Sequence, residues 1–260
     1  MLNTVASQTI RHLFTRSESV EVAVRCYPSS KLLQGSIDSF KMSGRGLVIR
    51  KDFYVEEMSF ETDAVAIDFS SVLSGKLTLK QPTQAVAQVT LTQAGINQAF
   101  TAELVKKRLQ NISLPGLTSD GESMSMQCSS EETSPEALTS ISFSDIQLEL
   151  LPNNQVKIFA KADLNNGELV PVSLKATVTV ERRRKIAFQN PEFISDNIPE
   201  SQQQQSQALT AALAEILNNM VDLDRFDLDG VTMRINRLET QGEQLIFSGY
   251  AEIDRIPGNG

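Results

Sequence analysis

The sequence predicts a mixed α+β fold in which a curved, mostly antiparallel sheet wraps around long amphipathic helices. Two strand-rich stretches, residues 19–91 and 141–193, each end in one amphipathic helix. Within a stretch, candidate strands follow one another every 8–12 residues or so, without intervening helices. Parallel pairing needs long crossovers, so we expect antiparallel pairing. With 260 residues and 40% hydrophobic side chains, the chain can bury a sizeable core, and we expect a single domain over residues 1–260.

The first element is predicted to be an amphipathic helix within residues 1–17. Its apolar side chains recur with the 3.6-residue period of a helix, and the basic side chains lie toward the other side. The favoured interpretation is a helix that packs on the body of the protein. The alternative is contact with a membrane interface, in which case Arg11, Phe14 and Arg16 are the candidate membrane contacts.

From residue 20 the apolar period changes to two, which is typical of strands. Alternating side chains predict several strands before residue 92, with a break at Tyr27-Pro28 and a tight turn at Gly44 and Gly46. Thr92 is then a suitable N-cap for the first long helix.

The apolar stripe of that helix runs through Ile96, Phe100 and Leu104 and drifts around the axis. Drift indicates a helix that is touched on more than one side, as it would be inside a curved sheet; a helix lying between two elements is an equal alternative. Residues 113–140 are rich in Ser, Thr and Glu and are predicted to be a mobile connection.

The second stretch predicts further strands, with a hairpin at Asn153-Asn154. The basic run at residues 182–185 could hold phosphate headgroups, but a solvated strand end or turn is the favoured interpretation. A helix over residues 206–221 has one consistent apolar face that includes Leu213, Ile216, Leu217 and Met220. A final hairpin over residues 231–253 turns near Gly242.

Charge is unevenly distributed along the chain. The net charge is −8, but residues 1–51 carry +5 and the remainder −13. This pattern argues against nucleic acid as a partner, because nucleic acid favours a broad positive face. A basic end is compatible with transient contact with an anionic membrane, although a solvated charge fluctuation is the favoured interpretation.

The chain contains no apolar run of about eighteen residues, so no membrane span is predicted. Its start lacks a basic region, an uninterrupted apolar core and a clear cleavage site. We therefore expect a cytoplasmic protein, peripheral at most at the cytoplasmic face of a membrane.

Residues suited to catalysis are scarce. His12 is the only histidine, and it lies in the terminal helix, so it is a poor general base. Nucleotide-binding and zinc-helix motifs are missing, and the acidic cluster at residues 222–229 departs from calcium-loop spacing. Cys26 and Cys128 form no metal-type spacing. We expect no enzyme, cofactor or metal site; paired carboxylates that meet only in space remain open.

Several stretches resemble the LmeA-like phospholipid-binding family of bacteria. They are residues 28–40 (PSSKLLQGSIDSF), 70–79 (SSVLSGKLTL), 89–100 (VTLTQAGINQAF) and 223–230 (LDRFDLDG), together with the last hairpin. The resemblance implies phospholipid binding and kinship with tubular lipid-binding folds, in which a twisted sheet curls about a long helix. Envelope members of the family carry an export signal or anchor, which we do not find here, so a cytoplasmic membrane face is the easier setting. The family offers no catalytic residues.

The leading functional prediction is non-enzymatic binding or carriage of a phospholipid or other acyl lipid in an apolar groove between sheet and helix. The predicted lining is Ile96, Phe100, Leu104, Leu213, Ile216, Leu217 and Met220. The alternative is a structural or assembly factor that binds an unknown protein partner through exposed sheet edges. A lipid hydrolase ranks last, because the sequence shows no nucleophile beside a base.

Overall fold

The fold was analysed in a computed structural model of the chain. The structure describes residues 2–49, 51–73, 78–113, 140–165, 167–196, 198–225 and 230–255. Apart from its first and last residues, the predicted mobile connection over residues 113–140 lies outside the described residues.

Strands dominate the described part of the chain. The α-helices are α1 (Leu2–Arg11), α2 (Ser30–Leu33), α3 (Phe69–Leu73), α4 (Gln93–Phe100), α5 (Glu103–Leu109) and α6 (Gln203–Met220). The strands are β1 (Ser19–Arg25), β2 (Ser36–Ile37), β3 (Ser39–Ile49), β4 (Phe53–Thr62), β5 (Val65–Ala66), β6 (Thr83–Thr92), β7 (Ile112–Ser113), β8 (Ser140–Leu151), β9 (Gln155–Asp163), β10 (Leu169–Glu181), β11 (Lys185–Phe193), β12 (Val231–Gln241) and β13 (Gln244–Ile253).

The strands form two large sheets and one small one. The first large sheet has the order β1-β3-β4-β6-β13-β12, the second has the order β11-β10-β9-β8-β7, and β2 pairs with β5. The strand pairs in all three sheets are antiparallel. The prediction of a mostly antiparallel α+β fold is therefore confirmed. The final hairpin returns to the first sheet, where β13 pairs with β6 along its whole length.

Each large sheet has its own apolar core. The six-stranded sheet packs with α1 and with the small β2–β5 sheet. The five-stranded sheet packs with α5 and α6, and α6 contacts β10 and β11. The predicted apolar face of α6 is confirmed, since Leu209, Leu213 and Leu217 are almost completely buried. Burial of each of these side chains stabilises the fold by about 1.5–3 kcal/mol.

The predicted long helix after Thr92 is wrong, because the chain forms two short helices with a break between them. The start is as predicted, since Thr92 Oγ1 accepts a hydrogen bond from the Gly95 N–H (3.1 Å). Helix α4 ends at Phe100, however, and Ala102 takes an extended backbone conformation (ψ 138°) before α5 begins. The drifting apolar stripe in the sequence therefore marks a change of axis.

Two further boundaries differ from the predictions. The N-terminal helix ends at Arg11, and the backbone beyond it pairs with β3: the Thr15 N–H donates to the Val48 carbonyl (2.8 Å). The turn predicted at Gly44 and Gly46 is wrong, since β3 runs through both glycines without interruption. Gly46 has φ +57°, and a Cβ there would lie 2.4 Å from Glu18 side-chain atoms.

Asparagine side chains occupy the edges of two strands in the second sheet. Asn97 of α4 accepts a hydrogen bond from the Leu148 N–H (2.7 Å) and donates one to the Leu148 carbonyl (3.0 Å). Asn218 of α6 makes the same pair of contacts with Phe188 of β11, at 2.6 and 3.3 Å. Each side-chain amide thus takes the place of a neighbouring strand and satisfies both the N–H and the carbonyl of one edge residue.

A third asparagine connects the two large sheets. Asn154, in the β8–β9 turn, accepts from the Thr240 N–H (2.8 Å) and donates to the Leu238 carbonyl (3.1 Å), both on edge strand β12. The Ile235 N–H of the same strand donates to the carbonyl of Arg183 in the β10–β11 turn (2.6 Å). These contacts occupy parts of the strand edges that the assembly-factor alternative would use.

Replacing Asn97 by alanine is expected to lower the free energy of unfolding by about 1–3 kcal/mol, because the N–H and carbonyl of Leu148 lose their partner. Chemical denaturation measures the change. Gln98→Ala is the matched control, since this neighbour on α4 is exposed and its side chain makes no such contact with β8. Equal stability of the two variants would contradict the proposed role of the Asn97 amide.

Candidate functional site

An apolar cavity of about 180 Å³ lies on the covered face of the six-stranded sheet. Its lining is Ile10, Leu13, Ile37, Phe40, Met58, Ser59, Phe60, Thr62, Val65, Ile67, Leu79, Thr83, Ala87, Val89, Val231, Met233, Ala251 and Ile253. Fifteen of these eighteen residues are apolar, and the other three are hydroxyl-bearing. No charged side chain is among them, so the cavity suits a hydrocarbon group better than a polar ligand.

Strand alternation explains why these residues meet. Side chains two apart along a strand share a face, and the pairing register aligns such positions across the sheet. Phe60 of β4 lies opposite Ala87 of β6, and Ala251 of β13 lies opposite Met233 of β12. The alanines on the central strands β6 and β13 leave space that larger side chains on both sides enclose. Phe40 stacks on Phe60, with ring centroids 5.5 Å apart, and strengthens this wall.

Two separate elements close the cavity. Ile10 of α1 and Leu13 just beyond it line one part of the cavity, and the small β2–β5 sheet contributes Ile37 and Val65. Ile10, Ile37 and Val65 are each less than a tenth exposed. These elements therefore close this side of the cavity through apolar packing.

The lining of the cavity is not equally buried throughout. Val231 and Met233 of β12, Ile253 of β13 and Thr83 of β6 are only partly buried, although all four line the cavity. Val231, Ile253 and Thr83 form one row across the end of the sheet. This row is thus a part of the lining that solvent reaches.

The predicted lipid-binding residues on α6 lie in the other half of the molecule. Leu213, Leu217 and Met220 are buried in the core of the five-stranded sheet, and Ile216 packs partly exposed against the same cluster. None of these four lines the apolar cavity described above. Their contact with lipid stays a prediction, and what the structure shows is packing between helix and sheet.

The three predicted residues after Thr92 are divided by the helix break. Ile96 and Phe100 pack against the second core from α4, whereas Leu104 of α5 is 43% exposed. Phe100 also lines a second, open cleft of about 960 Å³ between α4, α5 and the sheet. Charged residues contribute to this cleft, among them the ion pair of Lys161 with Asp145 (2.8 Å). It is larger than the apolar cavity but less suited to a hydrocarbon chain.

The predicted membrane contacts lie at the end of α1. Arg11 and Arg16 are exposed, while Phe14 packs partly buried against the first core. Arg16 forms an isolated backbone bridge with Val48, near the end of β3. The structure thus brings the three residues to one region and leaves the cationic groups accessible.

The basic run at residues 182–185 forms a turn and the start of β11, as favoured by the sequence. Arg184 forms an ion pair with Asp224, which also contacts Arg234 (2.8 Å). These contacts, first Arg184 and then Arg234, lower the pKa of the Asp224 carboxyl, and the same pairing raises the pKa of Arg184. Arg184 is therefore already paired within the protein, and its partner Asp224 belongs to the predicted acidic cluster. Asp227 and Asp229 of that cluster lie outside the described residues.

Within the part of the chain that the structure describes, no group of three or more His, Cys, Asp or Glu residues is placed to hold a metal ion. His12 is exposed just beyond α1 and does not line the apolar cavity. Among the same described residues, no helix has both the length and the apolar character that crossing a membrane requires.

None of the seven residues predicted from the sequence to contact lipid lines the apolar cavity. The available signal is the pair Ala85 and Ala87 on β6. These side chains are small at positions where the alternation of a strand predicts large side chains on a covered face. What it could not supply is the position of the final hairpin, because residues 231–253 reach β6 only through long-range pairing.

Comparison with known proteins identifies one family. The family model described as LmeA-like phospholipid-binding matches residues 1–249 of the chain. Searches of curated proteins and of solved structures gave no match.

Proposed function

Because the chain belongs to the LmeA-like phospholipid-binding family, we propose that it holds a phospholipid with part of one acyl chain in the apolar cavity between α1 and the six-stranded sheet. The observation that supports this proposal is the lining, which consists of apolar and hydroxyl-bearing residues without a charge. Transfer of apolar surface out of water contributes about 25 cal/mol per Å², so each hundred Å² of sheathed acyl chain contributes about 2.5 kcal/mol.

The cavity volume limits how much of the lipid is enclosed. An apolar protein cavity of about 150 Å³ accommodates one benzene molecule. A cavity of 180 Å³ therefore takes a segment of one acyl chain. The remainder of the lipid would leave the cavity past Val231 and Met233, where the lining is only partly buried. The headgroup would then stay in water, outside the cavity.

We further propose that the protein carries lipid without chemical conversion. The site we propose contains no charged acid–base group, and the only histidine, His12, does not line it. The kinship with tubular lipid-binding folds that the family resemblance implies also supports carriage. Membrane contact through Arg11, Phe14 and Arg16 and a cytoplasmic location stay predictions.

Native mass spectrometry and lipid extraction test the binding. We expect purified protein to retain about one phospholipid per chain and to transfer labelled phospholipid between vesicles. Protein that carries no extractable lipid and catalyses no transfer above the rate without protein would contradict the proposal. A lipid recovered in chemically altered form would contradict the absence of conversion.

A further inference from the structure

Three of the most exposed large apolar side chains lie on the segments that flank the small β2–β5 sheet in the chain. Among the described residues, Tyr27 is 85% exposed, Leu73 74% and Leu33 69%; Val86 (70%), on β6, is the comparable side chain elsewhere. Single exposed apolar side chains are common in soluble proteins, but a group of them at one site indicates an interaction surface. We refer to Tyr27, Leu33 and Leu73 as the apolar tip.

Hydrogen bonds around the small β2–β5 sheet link the segments that carry these residues. The Ile67 N–H donates to the Gly35 carbonyl (2.8 Å), which joins the end of α2 to the segment that enters α3. Leu33 ends α2 and Leu73 ends α3. On the other side of α2, the backbone N–H of Tyr27 donates to the carboxylate of Asp38.

The exposure of the tip follows from the fold. In α2, Leu32 packs partly buried against the first core, whereas its neighbour Leu33, about 100° further around the helix, is 69% exposed. Lys31 of α2 donates to Asp38 at 2.6 Å and attaches α2 to the residue between β2 and β3. Leu33 is thus presented by a segment that is attached to the core.

The tip adjoins the apolar cavity. The β2–β5 sheet that carries the tip supplies Ile37, Val65 and nearby Ile67 to the cavity wall. Leu79 also lines the cavity and forms a bridge with Ile67. Thr83, which belongs to the row with Val231 and Ile253, follows Leu79 by only a few residues in the chain. The exposed apolar residues and the partly buried part of the cavity lining therefore lie at the same end of the sheet.

We propose that the apolar tip inserts into a lipid bilayer and places the opening of the cavity at the membrane surface. This inference rests on the proposed lipid binding, because an acyl chain that leaves a bilayer avoids water only if the cavity opens toward the membrane. Tyrosine and leucine are suited to this position, since tyrosine favours the headgroup region and leucine the hydrocarbon below it.

The charges near the tip indicate that apolar contact dominates docking. Lys31 is paired with Asp38, and Lys80 lies close enough to Asp68 to help lower the pKa of that carboxyl, after the hydrogen bonds from Ser70. These two cations are thus each close to a carboxylate. Docking by the tip should depend only weakly on salt, unlike docking by free cationic side chains.

The tip and the end of α1 lie at opposite ends of the six-stranded sheet. Arg16 pairs with Val48 near the end of β3, whereas Arg25, just before Tyr27, pairs with Ser39 at its start. Nine residues of extended strand separate Ser39 from Val48, which corresponds to roughly 30 Å. End-on insertion of the tip therefore leaves Phe14 outside the bilayer.

The chain contains no tryptophan, so single tryptophans report the two surfaces separately. Tyr27→Trp and Phe14→Trp are mixed with vesicles of phosphatidylcholine and phosphatidylglycerol that carry brominated acyl chains. We expect quenching and a blue shift for Tyr27→Trp, nearly unchanged by salt, and little quenching for Phe14→Trp. Quenching of Phe14→Trp alone, or of neither variant, would overturn the proposal.

A second pair of variants tests the contribution of the leucines. Leu33→Ser combined with Leu73→Ser is expected to lower partition onto the same vesicles by about tenfold or more. Val86→Ser combined with Leu169→Ser is the control, since both leave the tip intact and replace exposed apolar side chains on β6 and β10. Unchanged partition of the tip variant, with bound lipid retained, refutes docking by the tip and leaves lipid binding standing. Tip-dependent docking by protein that never retains lipid refutes the proposed function instead.

Discussion

Replacing Leu213 by alanine is expected to lower the free energy of unfolding by about 3–5 kcal/mol without releasing bound lipid. Leu213 is fully buried in the core between α6 and the five-stranded sheet. Truncation removes apolar contacts and leaves a void that the surrounding strands and helix can fill only partly. The site proposed for the acyl chain lies against the other sheet, so its lining is unchanged.

Chemical denaturation and native mass spectrometry of the same sample measure the two effects of Leu213→Ala. Leu104→Ala is the matched control, since it removes the same atoms from a leucine that is 43% exposed, and it should cost less than about 1 kcal/mol. Loss of lipid from Leu213→Ala, with stability near that of the unchanged protein, would contradict our assignment. It would support the sequence-based prediction that α6 lines the lipid groove.

Replacing Ala87 by phenylalanine is expected to abolish lipid retention. Ala87 lines the cavity from the central strand β6, directly opposite Phe60. A phenyl ring at this position would occupy much of the 180 Å³ in which the acyl segment is proposed to lie. The added ring either fills the cavity or overpacks it, and overpacking costs about 1–3 kcal/mol of stability.

The neighbouring residue provides the control for Ala87→Phe. Val86 lies on the opposite face of the same strand and is 70% exposed, so Val86→Phe should fold normally and keep its lipid. If Ala87→Phe fails to fold, Val231→Phe places a phenyl ring at the partly buried rim of the cavity with a smaller increase in volume. Folded variants of both positions that retain lipid like the unchanged protein would refute the assignment of the cavity.

Features fixed by neighbouring residues could be predicted from the sequence. The Thr92 cap needs only a hydroxyl three residues before an N–H, and the Asn153-Asn154 turn needs residues that tolerate positive φ (61° and 59°). The buried stripe of α6 follows from its period. The turn predicted at Gly44 and Gly46 was wrong, because glycine also occurs within a strand where another segment approaches closely.

The location of the cavity could not be predicted, because it depends on contacts between distant segments. Pairing of Thr83 with Ile253 joins parts of the chain that are far apart in sequence, and no local pattern specifies that pairing. An apolar stripe also predicts burial without specifying the neighbour. The stripe of α6 therefore fits a packed core, as observed for Leu213, as well as a lipid groove.

A phospholipid with a photoreactive group in its acyl chain tests the central claim most directly. The lipid is loaded into the protein and irradiated, and the labelled peptides are identified by mass spectrometry. We expect the label on β4 and on the final hairpin, at residues such as Met58, Phe60, Met233 and Ile253 that line the cavity. Labelling confined to α6, at Leu213, Ile216, Leu217 or Met220, would contradict it.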